Sequence, residues 1–240
     1  MKPVELSKLS NYIDIGYFNR FNGAQSRPII RRSIKEKLCA WKLDDDYYDG
    51  DRIYGYGGFE NDYRWNHLLP VLFEKCNEDI FSPNHSTYSI LDIGCKKGFI
   101  VEAALNMGPN ISAIGIESHE YPINKASQSV QHRLIHGSYT DLPFADNSFN
   151  FCIAFSSIYM LNIGDIVSSL REIKRVSKSS YITFGAYNEL WEKAVFENWT
   201  LIGTTLLHTS EWLELFDYVG YDGYYFFTTP SILGFTDLRN

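Results

Sequence analysis

From Ser89 onward short apolar runs alternate with amphipathic stretches, and no other feature constrains the fold as tightly. Five runs read as strands: Ser89–Ile93, Ser112–Ile116, Arg133–His136, Phe149–Ser156 and Tyr181–Ala186. Most are nearly continuous in apolar residues, the pattern of strands buried on both faces. Between the last two, Ile166, Val167, Leu170, Ile173 and Val176 recur at helical spacing, which predicts a helix over Asp165–Val176 capped by Asp165. Strands of this kind alternating with helices specify an α/β fold, a mostly parallel sheet with helices on both faces. The ligand of such a sheet lies beyond the carboxyl ends of its strands. At 240 residues the chain can bury one such core without a disulfide or metal staple.

The first 85 residues read differently. Arg20, Arg27, Arg31, Arg32, Lys35, Lys37 and Lys42 face the single acid Glu36, and Pro28 suits the first turn of a helix running to about Lys42. That basic stretch suits either a phosphate or a solvated face. Asp44–Asp62 then reverses the sign and mixes Tyr47, Tyr48, Tyr54, Tyr56 and Phe59 with Gly50, Gly55, Gly57 and Gly58, too many glycines for a regular helix. A further helix is expected from Tyr63 to about Ile80, bent or delayed by Pro70. Residues 1–85 are therefore expected to form an N-terminal cap or lid, and residues 86–240 the sheet-bearing core. Charge excludes one class: 22 Lys and Arg against 29 Asp and Glu give a net charge of −7, which argues against a general nucleic-acid binder. The four cysteines lie far apart with no metal-ligand spacing, as in a reducing cytoplasmic setting, and no apolar stretch approaches a membrane span, so no membrane partner and no metal are expected.

The chemistry concentrates in the loops after the strands. The first reads Leu91-Asp92-Ile93-Gly94-Cys95-Lys96-Lys97-Gly98-Phe99. A nicotinamide fingerprint starting at Gly94 fails at Lys96 and Phe99. The pattern D/E-x-G-x-G-x-G is met by Asp92, Gly94 and Gly98, with Lys96 where its central glycine belongs. The second strand ends in Glu117, and the third runs into His136-Gly137-Ser138-Tyr139-Thr140-Asp141-Leu142-Pro143-Phe144.

Together these segments resemble the class I S-adenosylmethionine-dependent methyltransferases over residues 85–190. The flanking Asp51-Arg52-Ile53-Tyr54-Gly55-Tyr56-Gly57-Gly58 and the aromatic C-terminal stretch resemble a bacterial subgroup linked to surface-polysaccharide and small-metabolite biosynthesis. The resemblance implies a Rossmann-like, seven-stranded, mostly parallel sheet and S-adenosylmethionine as cofactor, leaving S-adenosylhomocysteine as product. It implies donor contacts from Asp92, Gly94, Cys95, Lys96, Gly98, Glu117, Ser138, Tyr139 and Ser156. Asp92 would orient the donor's amino group, Glu117 would accept its ribose hydroxyls, and Lys96 would meet its carboxylate. The acceptor is expected to be a small polar molecule methylated on oxygen or nitrogen, a sugar or sugar-phosphate fitting tyrosines and carboxylates. Arg52, Tyr54, Tyr56, Arg64 and Tyr187 are the candidate acceptor contacts; Tyr159, His136 and Asp51 are the candidates for orienting or deprotonating the nucleophile. For each tyrosine, packing of the N-terminal segment is the competing role. Binding of the donor without catalysis is the alternative reading.

Overall fold

The computed structural model describes residues 5–20, 27, 29–80, 82 and 86–237. Among the described residues three α-helices precede the sheet: α1 (Ile34–Trp41), α2 (Asp45–Tyr48) and α3 (Trp65–Lys75). The sheet then builds as β1 (Tyr88–Ile93), α4 (Phe99–Leu105), β2 (Ile111–Glu117), α5 (Glu120–Asn124), α6 (Gln128–Gln131), β3 (Leu134–His136) and β4 (Phe149–Ala154). It is completed by α7 (Ile163–Val176), β5 (Ser177–Tyr187), α8 (Leu190–Trp199), β6 (Leu207–His208), α9 (Thr209–Val219) and β7 (Tyr224–Thr228). The strand order is β3-β2-β1-β4-β5, and β5 then pairs with β7 along Tyr181–Gly185 and with β6 at Ala186 and Tyr187. All of these pairings are parallel. The expected α/β class and seven strands are what is observed.

Strand alternation assigns the two apolar layers. Ile90, Phe151, Ile153 and Tyr181 join the layer under α3 and α4, with Leu72, Phe73 and Val101. Leu91, Cys152, Ala154 and Ile182 point the other way, against Leu170 and Ile173 of α7 and Trp212 and Phe216 of α9. Each fully buried Leu, Ile or Phe contributes roughly 1.5–3 kcal/mol relative to exposure, so these layers hold the sheet ends in place. The N-terminal segment is stitched in as well: Tyr225 N–H donates to Asn11 O at 2.9 Å, and Ile13 N–H donates to Tyr225 O at 2.9 Å.

Three helix boundaries differ from the sequence reading. Helix α1 starts at Ile34, because Ser33 Oγ accepts the Glu36 N–H and the Glu36 carboxylate accepts the Ser33 N–H, a reciprocal cap. Pro28 lies outside the described residues. Helix α7 starts at Ile163, with Asn162 rather than Asp165 as its cap, its Oδ1 accepting the Asp165 N–H at 3.0 Å. Helix α3 runs through Pro70 but stops at Lys75, where Asn77 takes a left-handed φ of 53°. Among the described residues no helix is long and apolar enough to cross a membrane.

Candidate active site

The turn from β1 into α4 is forced by its surroundings. Gly94 has φ +74°, and a Cβ there would lie 2.3 Å from the Ser157 Cβ, whose hydroxyl donates to Ile93 O at 2.8 Å. Gly98, at φ +79°, opens α4, and a Cβ there would lie 3.1 Å from Leu134 and 3.2 Å from Val130. Lys96 holds a left-handed φ of +54° where glycine would be unstrained, a cost on the order of 1 kcal/mol. Its Nζ donates to Phe155 O at 3.3 Å.

Two carboxylates flank this turn and behave oppositely. Asp92 is 2 % exposed and its Oδ2 has no hydrogen-bond partner. Burial pushes its pKa up to about 7, Lys96 opposes that and Glu117 adds to it. Glu117 is as deeply buried, but there the penalty of burial is outweighed by hydrogen bonds and by the Lys96 charge, which hold it below the usual range. Its Oε2 accepts the Lys96 N–H at 3.0 Å. Its Oε1 accepts the Ser118 N–H at 2.8 Å and the Tyr139 hydroxyl at 2.9 Å. Glu117 thus ties the loop after β1 to those after β2 and β3.

Two cavities meet over these strand ends. The inner one, about 190 Å³, is walled by rings (Tyr17, Trp65, Phe155 and Tyr159 among them) and reaches Asp92 and Cys95. The outer one, about 580 Å³, reaches Glu117, Ser118, His119 and Tyr139. Tyr47, Tyr56, Gly94, Lys96, Ser156 and Met160 belong to both walls. The inner cavity alone is smaller than the roughly 300 Å³ that ligand pockets usually offer, so a larger ligand would span both.

The structure therefore brings together Asp92, Gly94, Cys95, Lys96, Glu117, Tyr139, Ser156, Tyr159, Arg52 and Tyr56. Other candidates sit elsewhere. Ser138 is exposed and bonds Thr140, whereas its neighbour Tyr139 is buried and donates to Glu117. His136 is exposed, and its Nε2 donates to Ser118 O at 3.0 Å, which makes it a brace for the loop after β2. Asp51 accepts the Ile53 N–H within its own turn. Arg64 pairs with Asp62 and lies 4.9 Å over the Tyr17 ring, one layer behind the inner cavity. Tyr187 packs edge-on to His208 with the Lys193 ammonium over its face, and neither cavity's wall includes Tyr187 or Tyr54. Tyr159 is no neutral-pH base: burial raises its pKa above the ordinary 10, against Lys96 and Arg27. Arg27, which no motif singled out, lines the inner cavity at 7 % exposure.

Residues 90–180 match the family model described as "Methyltransferase domain". That span of the chain is therefore a methyltransferase domain, with the fold of the class I enzymes. That class uses S-adenosylmethionine as methyl donor. Over 101 residues the chain is 33 % identical to a demethylmenaquinone methyltransferase of Geobacillus stearothermophilus, covering 39 % of this chain and 42 % of that protein. Over 119 residues it is 29 % identical to an uncharacterised methyltransferase of Schizosaccharomyces pombe, covering 44 % and 41 %. The chain thus spans about two fifths of the length of the curated relatives it matches. Its fold matches a chain in the complex of the Haloferax volcanii Trm112 methyltransferase activator with its methyltransferase partner at a TM-score of 0.53 and 20 % identity, covering 78 % of this chain and 77 % of that one.

The methyltransferase domain's own residues fit the donor. The unpartnered, buried Asp92 Oδ2 is an acceptor waiting for a donor group, as an ammonium provides. Glu117 offers acceptor sites now taken by rotatable hydroxyls, from Tyr139 and Ser118, which a diol would replace.

Proposed function

We propose that the protein transfers a methyl group from S-adenosylmethionine to an oxygen or nitrogen of a small acceptor held in the inner cavity. The observation that carries this is the orphaned Asp92 carboxylate and the heavily bonded Glu117 lying at adjacent strand ends, in walls of two joined cavities. Asp92 would receive the donor's ammonium, Glu117 the ribose and Lys96 the carboxylate. The sulfonium supplies an already electrophilic methyl, so the chain's task is alignment and exclusion of water. The rings of Tyr17, Trp65, Phe155 and Tyr159 do both, by filling the space around the reacting atoms. Tyr159, protonated at neutral pH, would donate a hydrogen bond rather than take a proton.

The sugar acceptor foreseen from the tyrosines keeps two supports, the Tyr56 ring and the Arg52 guanidinium in the cavity wall. It loses the carboxylates: Asp49 pairs with Lys97 and Tyr121, and Asp51 closes a turn. An acceptor with a flat apolar face fits this wall better than a bare polyol. Donor binding without transfer is the second reading, favoured by the lack of a base among the residues lining the inner cavity other than Asp92. Native mass spectrometry of the purified protein, followed by an acceptor screen with labelled donor, separates the two. Retained S-adenosylhomocysteine with label transfer supports the proposal; donor binding with no transfer over a broad panel supports the second reading; no donor binding refutes both.

A further inference from the structure

Two guanidinium groups that line the inner cavity converge on one backbone carbonyl. Arg27 Nη2 donates to Gly55 O at 2.6 Å, and Arg52 Nη1 donates to the same oxygen. Arg27 Nη1 also donates to Trp199 O at 3.3 Å, and its guanidinium lies 4.9 Å over the Trp199 ring. Its Nε has no partner, and among the described residues no carboxylate pairs with it. A charge this deeply buried is costly unless an opposite charge meets it. Burial pushes Arg27 down to about 10, with the neighbouring Arg52 adding to the effect, and it stays cationic at neutral pH. An apolar, ring-walled cavity holding a buried cation without a resident anion is complementary to a ligand that brings one.

Resting on the methyltransferase reading, we infer that the acceptor carries an anionic group, carboxylate or phosphate, on a flat apolar body, and that Arg27 is the seat of that anion. The body lies among Tyr56, Trp65, Phe155 and Tyr159, and the anion reaches the Arg27 side of the cavity. The donor's own carboxylate is served by Lys96, whose ammonium stands next to Asp92 in the loop after β1.

The test uses the whole chain saturated with S-adenosylhomocysteine, titrated by calorimetry with benzoate, phenyl phosphate and uncharged benzyl alcohol. S-adenosylhomocysteine alone is titrated first; failure there refutes the methyltransferase reading rather than this one. The expected result is at least tenfold tighter binding of one anion than of benzyl alcohol, the tighter of the two naming carboxylate or phosphate. In Arg27→Gln the preference should shrink to threefold or less while S-adenosylhomocysteine affinity stays within threefold. Arg27→Lys, which keeps the charge without the fork, should retain part of it. The preference in the unaltered chain is decisive even where the variants fold poorly. Equal binding of all three probes overturns the inference, as does a tenfold loss of S-adenosylhomocysteine affinity in folded Arg27→Gln, which would place Arg27 on the donor.

Discussion

If Asp92 receives the donor's ammonium as proposed, donor binding should depend on pH in a calculable way. In the free protein its pKa is about 7, because burial penalises the charge and Oδ2 has no partner. If the donor's ammonium pairs only with the carboxylate, binding must first select the ionised form, and the apparent Kd is multiplied by 1 + 10^(7 − pH). The factor is about twofold at pH 7 and about elevenfold at pH 6. Binding at pH 6 should therefore release close to one proton, readable by calorimetry of S-adenosylhomocysteine in buffers of different ionisation enthalpy. At alkaline pH the ligand's own amino group loses its charge and affinity falls again. The same shift has a sign for stability. A carboxyl with a raised folded pKa stabilises the free fold fully below its unfolded value of 3.8, and that contribution is lost as pH climbs to about 7. The span of about three units sets an upper bound on the order of 4 kcal/mol, so Asp92→Asn should make the free protein more stable than wild type at pH 8. Affinity that is flat between pH 5.5 and 7.5, or a slope that survives in Asp92→Asn, would refute the reasoning.

Lys96 holds the Asp92 pKa down, so Lys96→Gly should move the midpoint of that affinity profile above pH 7 while relieving backbone strain of roughly 1 kcal/mol. An unmoved midpoint would remove Lys96 from the site's electrostatics. Tyr159→Phe should cost less than about tenfold in methyl-transfer rate and leave the pH profile between 6 and 8 unchanged, since a tyrosine with a raised pKa is not the base. Gly115→Ala places a Cβ 2.6 Å from Cys95 Cβ and Sγ, and should destabilise the fold by about 1–3 kcal/mol in urea titrations and weaken S-adenosylhomocysteine binding with it.

The strands were legible because each is an apolar run bounded by turn residues; β1, β2 and β5 extend beyond those runs, while β3 starts after Arg133 and β4 ends before Phe155. Glu117 was legible for a similar reason, as an acid ending the strand beside β1. The caps were harder, since Asn162 and Asp165 are both capping residues three apart, and only the backbone N–H of Asp165 decides between them. The missed capping box was visible, however: Ser33 and Glu36 stand at the required spacing. Arg27 left no local signal. It sits in a basic stretch that reads as a solvated face, and its burial comes from Gly55 and Trp199, the latter 172 residues away in the chain. Strand β6 was equally silent, being two residues long.

The acidic, tyrosine-rich segment shows how packing and site-building coincide. Tyr48 stacks on Tyr56 and Tyr121, and Phe59 stacks on Phe99 at the start of α4. Lys97, itself nearly buried, donates to Asp49 at 2.6 Å, and Tyr121 donates to the other oxygen of the same carboxylate. These contacts lock residues 47–59 onto the loop after β1 and onto α5. Gly55 is required where the segment folds back, since a Cβ there would lie 1.8 Å from Tyr47 O, and the carbonyl of that same residue gathers Arg27 and Arg52. Tyr47 and Tyr56, whose rings meet edge-on, line both cavities. For Tyr47 and Tyr56 the competing roles of packing and ligand contact are therefore compatible: the rings that fasten the segment to the core also form cavity wall.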